Sequence, residues 1–166
     1  MKPLIHFAHA NGVPSKVYQK LFDLLADEYE MINVPLLGPD KRYPIDNHWN
    51  SLTNQVIDSI VRQAKGRPVI GLGHSLGSVL TFQAALKRPA LFSQVIMLDP
   101  PLIMGKASLV FHLTKLLRPK LADQMSPASV SARRRDHWDS RQQAAALLRP
   151  KGFYQDFDEA CFKAYI

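Results

Sequence analysis

With 166 residues, 46% of them hydrophobic and 21% charged, the chain is long enough for one domain with a proper core. Its single cysteine, Cys161, excludes an internal disulfide framework and fits a reducing compartment, and no apolar run approaches membrane-spanning length. The net charge of +7 has its densest run at Arg133-Arg134-Arg135, in a stretch with no aromatic stacking platform, which reads as a solvated helix face rather than a nucleic-acid site.

In chain order, the pattern alternates strand and helix, the signature of a parallel sheet with helices on both faces. A strand is predicted at Leu4 to Phe7, then a helix from about Ser15 to Glu28, with Ser15 as N-cap and Val17, Leu21, Leu24 and Leu25 as its apolar stripe. A second strand covers Glu30 to Val34, followed by turn and loop from Pro35 to Asn47. A helix from about Trp49 to Ala64 buries Leu52, Val56, Ile60 and Val61 and has Gly66 past its end. The third strand is Pro68 to Leu72. A helix follows to about Lys87, stopped by Pro89, and the fourth strand is Gln94 to Leu98. From Leu102 the texture changes to short helical segments: Ser108 to Leu117, Pro127 to Trp138, Ser140 to Leu148 and Asp156 to Ala164. The predicted division is therefore 1–101 for the sheet-containing core and 102–166 for a helical segment.

Two turns carry the chemistry. Gly73-His74-Ser75-Leu76-Gly77 lies between the third strand and its helix, with glycine two places either side of the serine. So tight a reversal strains the serine backbone and leaves no room for side chains at those flanking positions. The helix that begins near Leu76 directs its positive end at the serine. Earlier, the first strand runs into His9-Ala10-Asn11-Gly12. On these two stretches the chain resembles the α/β-hydrolase family. The resemblance implies a nucleophile at Ser75 and an oxyanion hole built from the amides of Asn11 and Leu76, with the Ala10 amide as alternative to that of Asn11. It also implies strand order 2-1-3-4, a site at the switch point beside the first strand, and a helical cap beginning after the fourth strand.

In that family the acid and the histidine follow the cap, on loops after further strands. This chain reaches Ile166 within the cap-like segment. Three accounts are open: a portion of a longer chain, a chain completed by a second polypeptide, or a shortened inactive relative. None of the histidines is placed as an evident base. His74 is inside the elbow, His9 holds the oxyanion turn, His6 is in a strand, His48 starts a helix, and His112 and His137 belong to the cap-like segment. Asp99, ending the strand beside the elbow, is a candidate acid, and equally a strand-terminating residue before Pro100.

The expectation is a serine hydrolase that cleaves an ester or related acyl bond through an acyl-enzyme at Ser75, with this portion alone inactive for want of a base. The alternative is a non-catalytic module binding a ligand or partner through the same crevice. A small acyl substrate is expected, with no cofactor, no metal, no nucleic acid and no membrane partner, and a cytoplasmic location because the amino-terminal apolar run is too short for a signal peptide. Leu109, Phe111, Leu113, Leu116 and Phe153 are candidate cap core or pocket lining.

Overall fold

Leu4-Ile5-His6-Phe7-Ala8 forms strand β1 (Leu4–Ala8), buried along its whole length, as a central parallel strand covered on both faces must be. Glu30–Asn33 (β2), Val69–His74 (β3) and Phe92–Leu98 (β4) complete a four-stranded sheet of order β2-β1-β3-β4. All three pairings are parallel: Ile5 is opposite Met31 on one side and Ile70 on the other, and Gly73 is opposite Met97. Parallel neighbours need crossovers, and helices supply them. These are α1 (Gln19–Leu25), α2 (Asn50–Ala64) and α3 (Leu76–Lys87). The computed structural model describes residues 1–102, 105–118, 121, 135 and 137–166.

Alternation along β1 sends Leu4 and Ala8 to one face, where they join Val34, Leu52, Val56, Ile60, Val69 and Leu80 under α2 and α3. Ile5 and Phe7 face the other way, with Phe22 and Leu72. The core is thus divided into two apolar layers by the sheet. His6 shares the α2 side, fully buried, its Nε2 hydrogen-bonded to the Ser59 hydroxyl at 3.0 Å.

The predicted elements hold, with local corrections. Ser15 is not a helix cap: its hydroxyl donates to the Val34 carbonyl at 2.6 Å, and Ser15–Tyr18 is a 3-10 turn preceding α1. That turn, with about three residues per turn, shifts the phase of the helix behind it. The buried residue of α1 is therefore Phe22, while Leu24, expected inside, is 73% exposed. In α2 the stripe Leu52, Val56 and Ile60 is buried as expected, but Val61 points to solvent.

Clustering of contacts separates two units: Met1–Pro101 with Phe157–Tyr165, and Leu102–Asp156 with Ile166. Residues 157–165, expected with the cap-like segment, instead pack with the core unit. Their helix, α7 (Glu159–Tyr165), buries Phe162, and Lys20 pairs with Asp158 at 2.5 Å. The second unit contains α4 (Gly105–Leu117), α5 (Arg141–Leu148) and α6 (Gly152–Gln155). Ser140 caps α5, accepting the Gln143 amide at 3.1 Å. Leu109, Leu113, Leu116 and Phe153, read as cap core or pocket lining, are exposed. Most of the Pro127 to Trp138 helix, with Arg133 and Arg134, lies outside the described residues.

Among the described residues β4 pairs with β3 alone, and its Ile96 and Leu98 are exposed. An apolar strand with one bare edge is an arrangement that natural sheets avoid.

Candidate active site

The elbow is built by steric exclusion. Ser75 sits at φ 51°, ψ −117°, a conformation that costs a non-glycine residue on the order of 1–3 kcal/mol. A Cβ on Gly73 would overlap the Gly77 carbonyl and Ser78 Cα, and a Cβ on Gly77 would overlap the Ala8 and His9 carbonyls. Both glycines are therefore demanded by close backbone approach. The second contact also seats the start of α3 directly on the turn that leaves β1.

Four hydrogen bonds hold the serine in this strained state, one of them from the Val79 amide to its carbonyl at 3.4 Å. Its amide donates to the Leu98 carbonyl at 2.9 Å, and its carbonyl accepts the Ser78 amide at 3.1 Å and the Ser78 hydroxyl. Ser75 and Leu76 are half-buried, so the hydroxyl is neither sealed in the core nor fully in solvent.

The β1 turn is locked around one residue, Ala10. Its carbonyl accepts His9 Nδ1–H at 2.7 Å and the Val13 amide at 3.1 Å. His9 Nε2 accepts the Leu37 amide at 2.8 Å, which fixes the proton on Nδ1. Burial, opposed by the Ala10 bond, pushes the His9 pKa below its ordinary value and keeps the ring neutral. The Ala10 amide points to the Tyr18 hydroxyl at 3.4 Å. Among the described residues the Asn11 and Leu76 amides have no such acceptor. Of the two amides expected as alternatives, that of Ala10 is engaged, and that of Asn11 has no acceptor among the described residues.

Tyr18 was not singled out from the sequence. Its hydroxyl also bonds His74 Nδ1 at 2.7 Å, and its ring packs between Phe7 and His74. An aromatic residue at the start of a helix carries no local sign of such a role, because its partners lie in two other segments.

Among the described residues no histidine ring is hydrogen-bonded to Ser75. His6 and His9 are committed elsewhere, and burial pushes His6 down to about 3. Asp99 ends β4 in the left-handed region at φ 45°, exposed, with no hydrogen bond or ion pair to another described residue. Among the described residues no group of three or more His, Cys, Asp or Glu could hold a metal ion, and no helix is long and apolar enough to cross a membrane.

Known proteins share this arrangement. The type I acyl-CoA thioesterase mpaH of Penicillium roqueforti is 26% identical over 170 residues, which cover 93% of this chain and 36% of that protein. An uncharacterized hydrolase of Bacillus subtilis, YugF, is 26% identical over 107 residues, covering 58% of this chain and 39% of that protein. Among solved structures, E-2-(acetamidomethylene)succinate hydrolase superposes with a TM-score of 0.65 at 20% identity, over 99% of this chain and 56% of that one. The thioesterase domain from the curacin biosynthetic pathway gives 0.59 at 18% identity, over 99% and 58%. The chain thus spans little more than a third of the length of these curated relatives. The sequence profile of the alpha/beta hydrolase family matches residues 7–165, which include both turns, the end of β1 and the other three strands. By that match, and by its 2-1-3-4 parallel sheet with helices on both sides, the chain belongs to the alpha/beta hydrolase family.

Proposed function

We propose that this chain carries the nucleophile and oxyanion hole of a serine hydrolase that cleaves an ester or thioester through an acyl-enzyme at Ser75. The observation that carries the reading is the strained, half-buried serine at the head of α3, followed by the Leu76 amide, which like the Asn11 amide of the β1 turn has no acceptor among the described residues. The thioester option draws on the printed name of the acyl-CoA thioesterase relatives.

The Ser75 oxygen attacks the acyl carbon while a base removes its proton, and the carbonyl electron pair moves onto oxygen. The Asn11 and Leu76 amides donate to that oxyanion, in the positive end of the α3 dipole. Collapse expels the alkoxide or thiolate, which takes up the proton, and water then hydrolyses the acyl-serine by the same steps. The base is assigned to a residue outside this chain, since among the described residues no histidine ring is hydrogen-bonded to Ser75. Asp99 stays a candidate acid by position alone, and the helical segment after residue 101 is read as the start of a cap.

A fluorophosphonate probe tests this. It should label Ser75 of the intact protein, and Ser75→Ala should abolish labelling. Labelling that persists in Ser75→Ala overturns the assignment. Absence of labelling in the intact wild type favours the non-catalytic binding module.

A further inference from the structure

We infer that Tyr18 is a positioning residue whose hydroxyl locks the β1 turn to the elbow and so holds the Asn11 amide in its oxyanion-binding orientation. The inference rests on the reading of Ser75 as nucleophile.

The Ala10–Asn11 peptide is trans, as are all peptides described, so the Ala10 carbonyl and the Asn11 N–H point in opposite directions. Whatever fixes that carbonyl therefore fixes the donor. His9 and the Val13 amide hold the carbonyl from one side. Tyr18 holds the preceding peptide through the Ala10 amide. With both peptide groups of Ala10 engaged, the turn cannot rotate the Asn11 N–H away from the hole without breaking bonds at two partly or wholly buried side chains. A turn free to flip would present a carbonyl oxygen where the hole requires a donor. The hole would then stabilise the anion with one amide instead of two.

The same hydroxyl reaches the other half of the site. Besides accepting the Ala10 amide, the Tyr18 oxygen is hydrogen-bonded to His74 Nδ1 at 2.7 Å, with the direction of that bond set by the His74 tautomer. His74 precedes Ser75, so one oxygen atom joins positions 10 and 74 across the first and third strands. The ring carries the packing, against Phe7 at a 4.7 Å centroid separation and edge-on to His74 at 5.8 Å. The hydroxyl carries the alignment. These two jobs separate in a Tyr18→Phe variant, which keeps the ring and removes a single oxygen.

The experiment compares wild type, Tyr18→Phe and Ser75→Ala as intact proteins. It measures phosphonylation of Ser75, steady-state hydrolysis of a p-nitrophenyl ester, and nitrogen-15 shifts of the His74 ring. In Tyr18→Phe the labelling rate and kcat should fall about 10- to 100-fold with KM unchanged, because an oxyanion donor acts on the transition state. The thermal midpoint should move by no more than about 5 °C, the scale of one hydrogen bond. His74 Nδ1 should show the shift of a hydrogen-bonded nitrogen in wild type and lose it in the variant. Wild-type rates in Tyr18→Phe, with labelling abolished in Ser75→Ala, overturn the role of Tyr18 and leave the nucleophile standing. A wild-type His74 whose Nδ1 shows no hydrogen bond overturns the tie between turn and elbow, whatever the activity. Failure of wild type to label removes the nucleophile and this inference with it.

Discussion

The amide of Ser75 donates to the carbonyl of Leu98 at 2.9 Å, so the elbow is pinned to the end of the neighbouring strand. That bond, with the Ser78 bonds to the Ser75 carbonyl, opposes the strain of a non-glycine residue at φ 51°. Relief of the strain is measurable. Ser75→Gly should be more stable than Ser75→Ala by about 1 kcal/mol in urea unfolding, despite the greater freedom of glycine in the unfolded chain. Equal stabilities would mean that the turn carries no strain at that position.

The flanking glycines should behave differently from glycines in open space. Gly77→Ala drives a methyl into the Ala8 and His9 carbonyls, which are backbone and cannot move aside cheaply. A loss of at least about 3 kcal/mol is expected, with Ser75 reactivity lost alongside. Gly152, whose added Cβ would meet nothing within 4 Å, is the control: Gly152→Ala should be neutral or slightly stabilising. A well-folded, reactive Gly77→Ala protein would refute the close approach of elbow and β1 turn.

His6 predicts an acid sensitivity. Its folded pKa is pushed down to about 3 by burial, against about 6.5 in the unfolded chain. Between those values the unfolded state binds a proton that the folded state does not. Stability is therefore full above pH 6.5 and declines as pH falls, by at most about 1.4 kcal/mol per pH unit from this residue. Urea midpoints at pH 7, 6 and 5 should drop more steeply in wild type than in His6→Gln. A His6 ring that titrates near 6.5 in the folded protein by NMR would contradict the burial.

The attachment of residues 157–165 to the core should depend on packing rather than on charge. Lys20 and Asp158 are both well exposed, so Lys20→Ala should cost less than about 0.5 kcal/mol, and less still at high salt. Phe162 is buried, and Phe162→Ala should cost about 3 kcal/mol. Denaturant unfolding of the two variants separates the contributions. A larger loss in the lysine variant would reverse the order.

Much of the core unit could be read from residues in one dimension. Leu52, Val56 and Ile60 announce the buried face of α2, and the alternation of Leu4 with Ile5 is reflected in the two apolar layers. Phase errors arose where a neighbour outside the window intervened. Ser15 surrendered its capping role to the Val34 carbonyl, and the 3-10 turn it begins displaced Leu24 to solvent. Helix α7 joined the core through Phe162 and the Lys20 pair, neither of which a local pattern reveals.

The elbow was legible because its constraint at Gly73 is local: a reversal between strand and helix within five residues leaves room only for hydrogen there, whereas Gly77 makes room for the Ala8 and His9 carbonyls of the neighbouring strand. The engagement of the Ala10 amide by Tyr18, and the tie from Tyr18 to His74, came from the tertiary structure alone. They depend on three segments brought together by two parallel crossovers, and hydrogen-bond partners chosen at that distance leave no periodic trace in the chain.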